Sequence, residues 1–273
     1  MRFEHPSLRQ GLVGAWCPSL GASGRSLIDR SGINNHATFT GSSYSFSRGV
    51  NVTGTTLATA RYVPQIDFDR TSTCTFSAFV SFASSTTMIL AGNSPNAGNT
   101  GFEIQYVGGV VRFLLASNFS SGNVLRVNTT NAVPVATVFH LGITYDGTGT
   151  AAGVNYFIDG SGVAKTVGFN ALTGSTVTGS PLLLFRRSDA TLPFTGTLDD
   201  FRIYNRALTP PEIRLLASRR GIGLVPLPDR AVSMPRKLFV NVGGTWRPAD
   251  AYVHDGTAFR LSDAKINVGG VWK

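Results

Sequence analysis

Hydrophobic and polar residues alternate with a period of two along most of the first 205 residues. Gly-containing pairs separate the alternating segments, and a helical spacing of apolar residues is missing from this region. Successive side chains of a strand point to opposite faces, so the pattern predicts half-buried strands joined by tight turns. We therefore expect an antiparallel β-sandwich or barrel over residues 10–205. The alternating sets are Phe76–Phe82, Phe102–Tyr106 before Gly108-Gly109, Phe139–Tyr145, Val154–Ile158 and, after Asp159-Gly160, Val163–Val167.

One short helix is predicted after this region. Thr209, two prolines and Glu212 form the capping-box pattern of a helix start, and Gly221 is a plausible stop. The prolines that follow favour an extended connector over a packed element. We place a linker at residues 219–236, between a first domain of residues 1–218 and a C-terminal segment. The connector prolines are Pro226, Pro228 and Pro235.

The last 37 residues, 237–273, contain three β repeats of 13 residues. In each repeat an apolar residue precedes a glycine, and an aromatic residue and a basic residue follow it, which predicts a hairpin-like unit. Such a small β unit buries too little apolar area to be stable alone. We expect it to serve anchoring or oligomerisation through its aromatic and basic residues: Trp246, Arg247, Phe259, Arg260, Trp272 and Lys273.

The charge is concentrated near the C-terminus. The chain of 273 residues has 24 Lys and Arg against 15 Asp and Glu, a net charge of +9. Residues 202–273 hold 12 of the basic and 5 of the acidic side chains, a local excess of 7. This excess favours an acidic docking partner, while nucleic acid is disfavoured because no binding motif accompanies the arginines. No apolar run is long enough for a membrane span, and the N-terminus lacks the apolar region of a signal peptide.

Three segments carry a resemblance to a known family. Residues 11–41 hold a strand ending in Trp16 and then Asp29, Ser31, Gly32 and Asn35, residues 140–160 form a central hairpin, and residues 194–217 form a closing strand and helix. In this order they resemble laminin-G-like, concanavalin-A-like jelly-roll domains over about residues 8–218. The resemblance implies a two-sheet jelly roll of about a dozen strands. The repeats 237–273 resemble C-terminal segments of tailed-bacteriophage virion proteins.

Catalysis is disfavoured by the carboxylates. The chain has three glutamates, Glu4, Glu103 and Glu212, and jelly-roll glycanases need clustered carboxylates for acid and nucleophile. The adjacent pair Asp199 and Asp200 would point to opposite faces of a regular strand. Cys17 and Cys74 form no metal-type cluster and are expected to be buried apolar residues. We expect no enzyme activity.

The resemblance implies one metal hypothesis. In similar domains a loop and the closing strand approach each other around Ca²⁺, which takes six to eight oxygen ligands. The corresponding residues here are Asp29, Asn34, Asp199 and Asp200. The alternative is that Asp29 and Asn34 hydrogen-bond their own turn and that Asp200 pairs with a nearby arginine at the surface.

Glycan binding is a second site hypothesis. Lectin sites use exposed loop aromatics against sugar faces together with amide hydrogen bonds. The candidates are Tyr44, Tyr62, Asn118 and Phe119. The alternative is that these aromatics belong to the core and that the Asn residues only form turns.

Together these features favour a non-enzymatic structural protein of a tailed-bacteriophage virion, either a capsid decoration or a tail appendage. It would be assembled in the host cytoplasm and lie on the virion surface, with the sandwich displayed outward. Its partners would be other capsid or tail proteins or copies of itself, and no membrane. The alternative is an adhesin that binds host or environmental glycans.

Overall fold

The computed structural model describes residues 2–21, 24–41, 43–95 and 100–227, and in the C-terminal segment only the strands between residues 238 and 272. It divides into two compact units, residues 5–225 and residues 1–4 with 226–273. Within the described ranges, no helix has the length and hydropathy that a membrane crossing requires.

The described residues are mostly strands, with one α-helix, α1 (Pro210–Ser218), and four short 3₁₀ turns. The strands, in chain order, are β1 (Arg2–Phe3), β2 (Leu12–Trp16), β3 (Ser26–Leu27), β4 (Ala37–Thr40), β5 (Tyr44–Ser47), β6 (Gly49–Val52), β7 (Leu57–Ala60), β8 (Cys74–Phe82), β9 (Met88–Gly92), β10 (Gly101–Val107), β11 (Val110–Asn118), β12 (Asn123–Thr129), β13 (Phe139–Tyr145), β14 (Val154–Ile158), β15 (Ser161–Val163), β16 (Lys165–Asn170), β17 (Leu182–Leu184), β18 (Gly196–Tyr204), β19 (Pro226–Leu227), β20 (Leu238–Val242), β21 (Thr245–Ala249), β22 (Tyr252–His254), β23 (Phe259–Leu261), β24 (Asn267–Val268) and β25 (Val271–Trp272).

Two antiparallel sheets pack face to face and form a sandwich, which confirms the predicted fold class. The larger sheet has the order β16-β12-β11-β10-β9-β17-β7-β4-β3. The smaller sheet has the order β15-β14-β13-β8-β18-β6-β5, and β2 adds to β18. A single large apolar cluster fills the space between them, as the period-two pattern requires.

The predicted turns position the strands. Gly108 and Gly109 both have positive φ and join β10 to β11 in a two-residue hairpin, a conformation that costs glycine little. Asp159 and Gly160 form the corresponding turn between β14 and β15. The single strand predicted at Val163–Val167 is wrong, because the chain crosses between sheets at Ala164. Its first part, β15, belongs to the smaller sheet and its second part, β16, to the larger.

Tyr156 links the two sheets through its hydroxyl group. This residue of β14 is buried, and its hydroxyl donates to the carbonyl oxygen of Val127 in β12 at 2.7 Å. The same oxygen accepts the backbone N–H of Phe113 in β11 at 2.8 Å. Burial raises the pKa of Tyr156, so the hydroxyl remains protonated and able to donate.

The central strand of the smaller sheet, β18, is irregular at Asp199 and Asp200. Residues 196–198 pair with β6, residues 201–204 pair with β2, and the register with β8 shifts between the two halves. Asp200 has φ +49°, which takes the strand out of regular alternation. The prediction of two carboxylates on opposite faces of a regular strand is therefore wrong at this bulge.

Both carboxylates at the bulge are buried and hold neighbouring segments. Asp200 forms two hydrogen bonds of 2.8 Å with Arg202, which is 0% exposed, and accepts the N–H of Gly221 at 2.7 Å. Asp199 accepts the N–H of Ser19 at 3.2 Å and lies 3.3 Å from Nε of Arg220. The pairing of Asp200 with Arg202 matches the sequence-based alternative, except that the pair is buried and not at the surface.

The helix α1 covers a second, smaller apolar cluster. The predicted capping box is present, and the N–H of Thr209 donates to Glu212 at 2.9 Å. Ile213 and Leu216 enter this cluster together with Ile222 and Leu224. The first residues assigned to the linker, 219–225, thus lie in the sandwich unit, while the further extent of the connector stays a prediction.

In the C-terminal unit each repeat forms an antiparallel strand pair, β20–β21, β22–β23 and β24–β25. The three pairs have the same register, with Asn241 opposite Trp246, His254 opposite Phe259 and Asn267 opposite Trp272. The 13-residue spacing therefore corresponds to a repeated backbone unit. The side chains of the predicted interface residues, and Lys273 entirely, lie outside the described residues: Trp246, Arg247, Phe259, Arg260, Trp272 and Lys273.

Replacing Tyr156 by Phe is expected to lower the free energy of unfolding by about 1–3 kcal/mol, because the N–H of Phe113 loses its partner inside the sandwich. Tyr106→Phe is the matched control. The hydroxyl of Tyr106 is buried without a hydrogen-bond partner among the described residues, so its removal should be neutral or stabilising. Urea unfolding of both variants measures the difference, and equal losses would contradict the assignment.

His140 in β13 is expected to make stability depend on pH. Its Nε2 lies 2.8 Å from the Ser77 hydroxyl, and burial lowers its pKa to about 4, with Arg202 also lowering it while Asp200 and Asp159 oppose. The unfolded chain takes up this proton near pH 6.5. Between pH 6.5 and 4 the unfolded state therefore binds more protons, and stability falls as the pH falls.

We expect the free energy of unfolding to drop by about 2 kcal/mol more in the wild type than in His140→Gln between pH 7 and 4.7. Glutamine keeps a polar group near Ser77 and does not titrate. Glu212, whose pKa is lowered to about 2 by its hydrogen bond with Arg206, acts mainly below pH 4.5 and equally in both proteins, so it cancels from the difference. Equal losses in the two proteins would show that His140 is not the titrating group.

Candidate functional site

A groove lies on the face of the larger sheet that points away from the core. Its volume is about 190 Å³. The floor comes from β10 and β11, and the rim comes from the loops before β9, after β11 and after β17. We call it the outer-face groove, and its lining residues are Thr87, Gln105, Arg112, Leu114, Phe119, Arg187 and Leu192.

The strand register brings polar side chains of three neighbouring strands to this face. Phe102, Ile104 and Tyr106 of β10 enter the core, so Glu103 and Gln105 between them face outward. Gln105 is directly opposite Arg112 of β11, and Arg112 is opposite Asn128 of β12. Directly paired residues share a face and lie about 5 Å apart.

The buried Glu103 and the half-buried Arg187 form an ion pair at one end of the groove. Nε of Arg187 donates to one carboxylate oxygen of Glu103 at 2.9 Å, and Nη2 donates to the other at 2.8 Å. Gln105 donates its side-chain amide to the same carboxylate. Glu103 is only 1% exposed, and burying a carboxylate without a cationic partner is costly.

Arg112 continues this polar chain across the sheet. Its Nη1 donates to Oε1 of Gln105 at 3.3 Å and its Nε to Oδ1 of Asn128 at 3.1 Å. Beneath these groups a small apolar cluster of Leu114, Ala116 and Val124 occupies the same face. The groove therefore combines an apolar floor, a fixed row of hydrogen-bonding groups and a rim aromatic, Phe119, that is 39% exposed.

The loop between β17 and β18 borders the groove in a strained conformation. Phe185, Ala190 and Leu192 have φ of +78°, +64° and +50°, three of the seven non-glycine residues with positive φ in the described ranges. The N–H of Ala190 donates to the Arg187 carbonyl at 3.2 Å, which folds the loop over itself. A non-glycine residue with positive φ is strained, and the surrounding structure must hold it in place. Residues of this kind occur often at binding sites.

The structure brings one of the four glycan candidates to the groove. Phe119 lines it, and neighbouring Asn118 is exposed with its side-chain oxygen accepting the N–H of Ser121 at 3.1 Å. Tyr44 instead stacks on Phe39 with 4.0 Å between the ring centroids, against the main core. Tyr62 is 41% exposed and is not among the lining residues. Carbohydrate binding by these four residues stays a prediction.

Protein donors already contact three of the four residues that suggested a calcium site, Asp29, Asp199 and Asp200. Both carboxylate oxygens of Asp29 accept two hydrogen bonds each, from protein donors at 2.8–2.9 Å. Asn34 is exposed, and the Asp200 carboxylate accepts hydrogen bonds from the Arg202 guanidinium and the Gly221 N–H. In the described ranges, no group of three His, Cys, Asp or Glu side chains comes together that could hold a metal ion. Calcium binding stays an untested expectation.

The Asp29 loop has a structural role. Its carboxylate accepts the N–H groups of Ala15, Ser31 and Asn35, and the Trp16 indole donates to the Asn35 carbonyl at 3.0 Å. The loop is thereby fastened to β2. Cys17 and Cys74 are free and buried, as expected, and burial raises the pKa of both thiols.

Sequence reasoning missed most of the outer-face groove. Glu103 has no acidic neighbour in the sequence, but the period-two pattern places it and Gln105 on one face of β10. The pattern cannot show which strands are neighbours, so it could not bring Arg112 and Asn128 beside them. Arg187 comes from a loop 84 residues away from Glu103 in the chain, and no signal in the sequence links the two.

A family model described as the concanavalin A-like lectin/glucanases superfamily, laminin G type 3, matches residues 34–214. This range is about two thirds of the chain and holds the outer-face groove. No curated protein sequence matches the chain.

Many solved structures share the fold at low identity. The botulinum neurotoxin serotype G binding domain is 15% identical with a TM-score of 0.57, covering 76% of this chain and 50% of that one. The binding domain of Paraclostridial Mosquitocidal Protein 1 is 17% identical with a TM-score of 0.59, covering 97% and 72%. Domain 4 of AbnA, a GH43 extracellular arabinanase from Geobacillus stearothermophilus in complex with arabinotriose, is 20% identical with a TM-score of 0.56, covering 76% and 98%. This chain thus spans half the length of the neurotoxin domain.

Proposed function

The chain belongs to the concanavalin A-like lectin/glucanases superfamily, and we propose that its sandwich is a non-enzymatic carbohydrate-binding domain whose site is the outer-face groove. The observation that carries this proposal is the fixed row of side chains from Arg187 to Asn128 beside an exposed aromatic ring. Similarity to an arabinanase domain whose structure was solved in complex with arabinotriose supports it.

The groove has the chemistry that sugar recognition needs. A pyranose or furanose ring has an apolar face that packs on an aromatic ring such as Phe119 and hydroxyl groups that hydrogen-bond at its edge. Gln105 and Arg112 are held by their neighbours, so they lose little conformational entropy when a sugar binds. The volume of about 190 Å³ is below that of a typical drug-sized pocket, which favours one sugar unit.

The same geometry supports binding without hydrolysis. A glycosidase places two carboxyl groups about 5–9 Å apart, one of them a proton donor. Glu103 lies beside the groove, and both its oxygens accept hydrogen bonds from Arg187. Its two oxygens are therefore engaged within the protein, which favours binding over hydrolysis.

The proposal predicts specific glycan binding by the full chain on a glycan array. Phe119→Ala should weaken binding roughly two- to tenfold, because the sugar loses its aromatic contact. Tyr62→Ala removes an aromatic of similar exposure outside the lining and should leave affinity unchanged. Loss of binding in Tyr62→Ala but not in Phe119→Ala would place the site elsewhere, and no binding to any glycan would overturn the proposal.

We further propose that the C-terminal repeats attach this domain to a tailed-phage virion, as a capsid decoration or tail appendage. The supporting observation is the common register of the three strand pairs, which presents the same aromatic position, followed by a base, three times. Repeated shallow contacts of this kind raise avidity without requiring any strong single contact. The partner would be a capsid or tail protein with an acidic surface, or further copies of the chain.

Ending the chain at residue 225 tests this attachment. We expect the shortened protein to lose self-association, or incorporation into particles, while it keeps the glycan binding of the sandwich unit. Sedimentation velocity measures the first property and the glycan array the second. An unchanged oligomeric state together with unchanged incorporation would contradict the role of the repeats.

A further inference from the structure

The face of the larger sheet that carries the outer-face groove has more positive than negative charge. Arg187 is compensated by Glu103 through two hydrogen bonds. Two further arginines, Arg112 in β11 and Arg126 in β12, lie on the same face, because Arg112 is opposite Asn128 and Leu114 is opposite Arg126. Each of these two has no carboxylate partner among the described residues.

Arg112 is held only by neutral groups. Its hydrogen bonds go to the side-chain oxygens of Gln105 and Asn128, so its positive charge is not compensated. Burial and the nearby positive charge of Arg126 both lower the pKa of Arg112. The guanidinium nevertheless stays protonated at neutral pH, and Nη2 donates no hydrogen bond to any described residue.

Arg126 is fixed beside it without an anionic partner. Its guanidinium carbon lies 4.4 Å from the centroid of the Phe169 ring, a cation–π arrangement that holds the side chain in place. Its Nε is buried and has no hydrogen-bond partner within the described residues. A buried donor without a partner, next to a second cation, is costly in the free protein.

From these observations we infer that the carbohydrate recognised by the outer-face groove carries an anionic group, a carboxylate or a sulfate, which binds Arg112 in the groove lining and extends toward Arg126, on the same face but outside the lining. The inference rests on the proposed carbohydrate-binding function and names the ligand class. Guanidinium groups bind planar or tetrahedral oxyanions through paired donors, and such charge-assisted hydrogen bonds are stronger than neutral ones. Phe119 would then contact the ring of the same sugar unit.

The test measures the affinity of the full chain for acidic oligosaccharides and for neutral counterparts with the same backbone. The pairs are oligogalacturonate with its methyl ester, sialyllactose with lactose, and sulfated lactose with lactose. We expect at least about tenfold tighter binding of the acidic member of one pair, decreasing as salt is raised. The carboxylate and sulfate pairs distinguish the two sources of the anion.

Arg112→Gln and Arg126→Gln should each reduce this preference about tenfold while leaving the melting temperature close to that of the wild type. Arg48→Gln is the matched control, because it removes the same charge from an exposed position in the turn between β5 and β6. It should retain the preference. Arg112→Lys keeps the charge but loses the planar guanidinium that Asn128 and Gln105 hold in place, and it should bind more weakly than the wild type.

The outcomes separate the two proposals. Equal affinity for acidic and neutral members overturns the anionic ligand but leaves carbohydrate binding intact. The inference is also overturned if Arg112→Gln and Arg126→Gln keep the preference for acidic sugars, or if Arg48→Gln loses it to the same extent. Either result would mean that the preference comes from the net positive charge of the protein. Absence of binding to every glycan overturns the carbohydrate function itself.

Discussion

The outer-face groove depends on the locking of alternate side chains of β10, β11 and β12 into the apolar core. Phe102, Ile104 and Tyr106 bury almost completely, and a slip of one residue would exchange them for Glu103 and Gln105. The cost of burying those polar groups in the core fixes the register. With the register fixed, Gln105 lies opposite Arg112, and the hydrogen-bonded row on the other face follows from it.

The charges of buried side chains are neutralised to different extents in two parts of the molecule. At the bulge of β18, Asp200 and Arg202 neutralise each other. The N–H of Gly221 donates a further hydrogen bond to the Asp200 carboxylate, which links the segment after α1 to the smaller sheet. On the larger sheet, Glu103 compensates only Arg187. The first arrangement is closed and structural, while the second leaves cationic donors that a ligand can use.

The residues that carry the family resemblance hold the fold together. Asp29 uses both carboxylate oxygens to fasten its loop to β2, and Trp16 donates to the same loop. The closing strand and helix contribute the buried bulge and the capping box. The residues that give this sandwich its chemical character lie elsewhere, on β10 to β12 and on the loop after β17. Similarity in this family therefore indicates architecture more directly than it indicates ligand.

By itself the sequence determined the all-β class, the hairpin turns at Gly108-Gly109 and Asp159-Gly160, the capped helix and the 13-residue repeat. These are local features, set by side-chain period, backbone conformation and capping over a few residues. Of the groove it identified Phe119 alone. Only the tertiary structure decided that Glu103 meets Arg187, that Arg112 and Arg126 share a face, and that Asp199 and Asp200 occupy a bulge. Those relations depend on which distant strands become neighbours and in which register, and that choice is made by burial of the whole core.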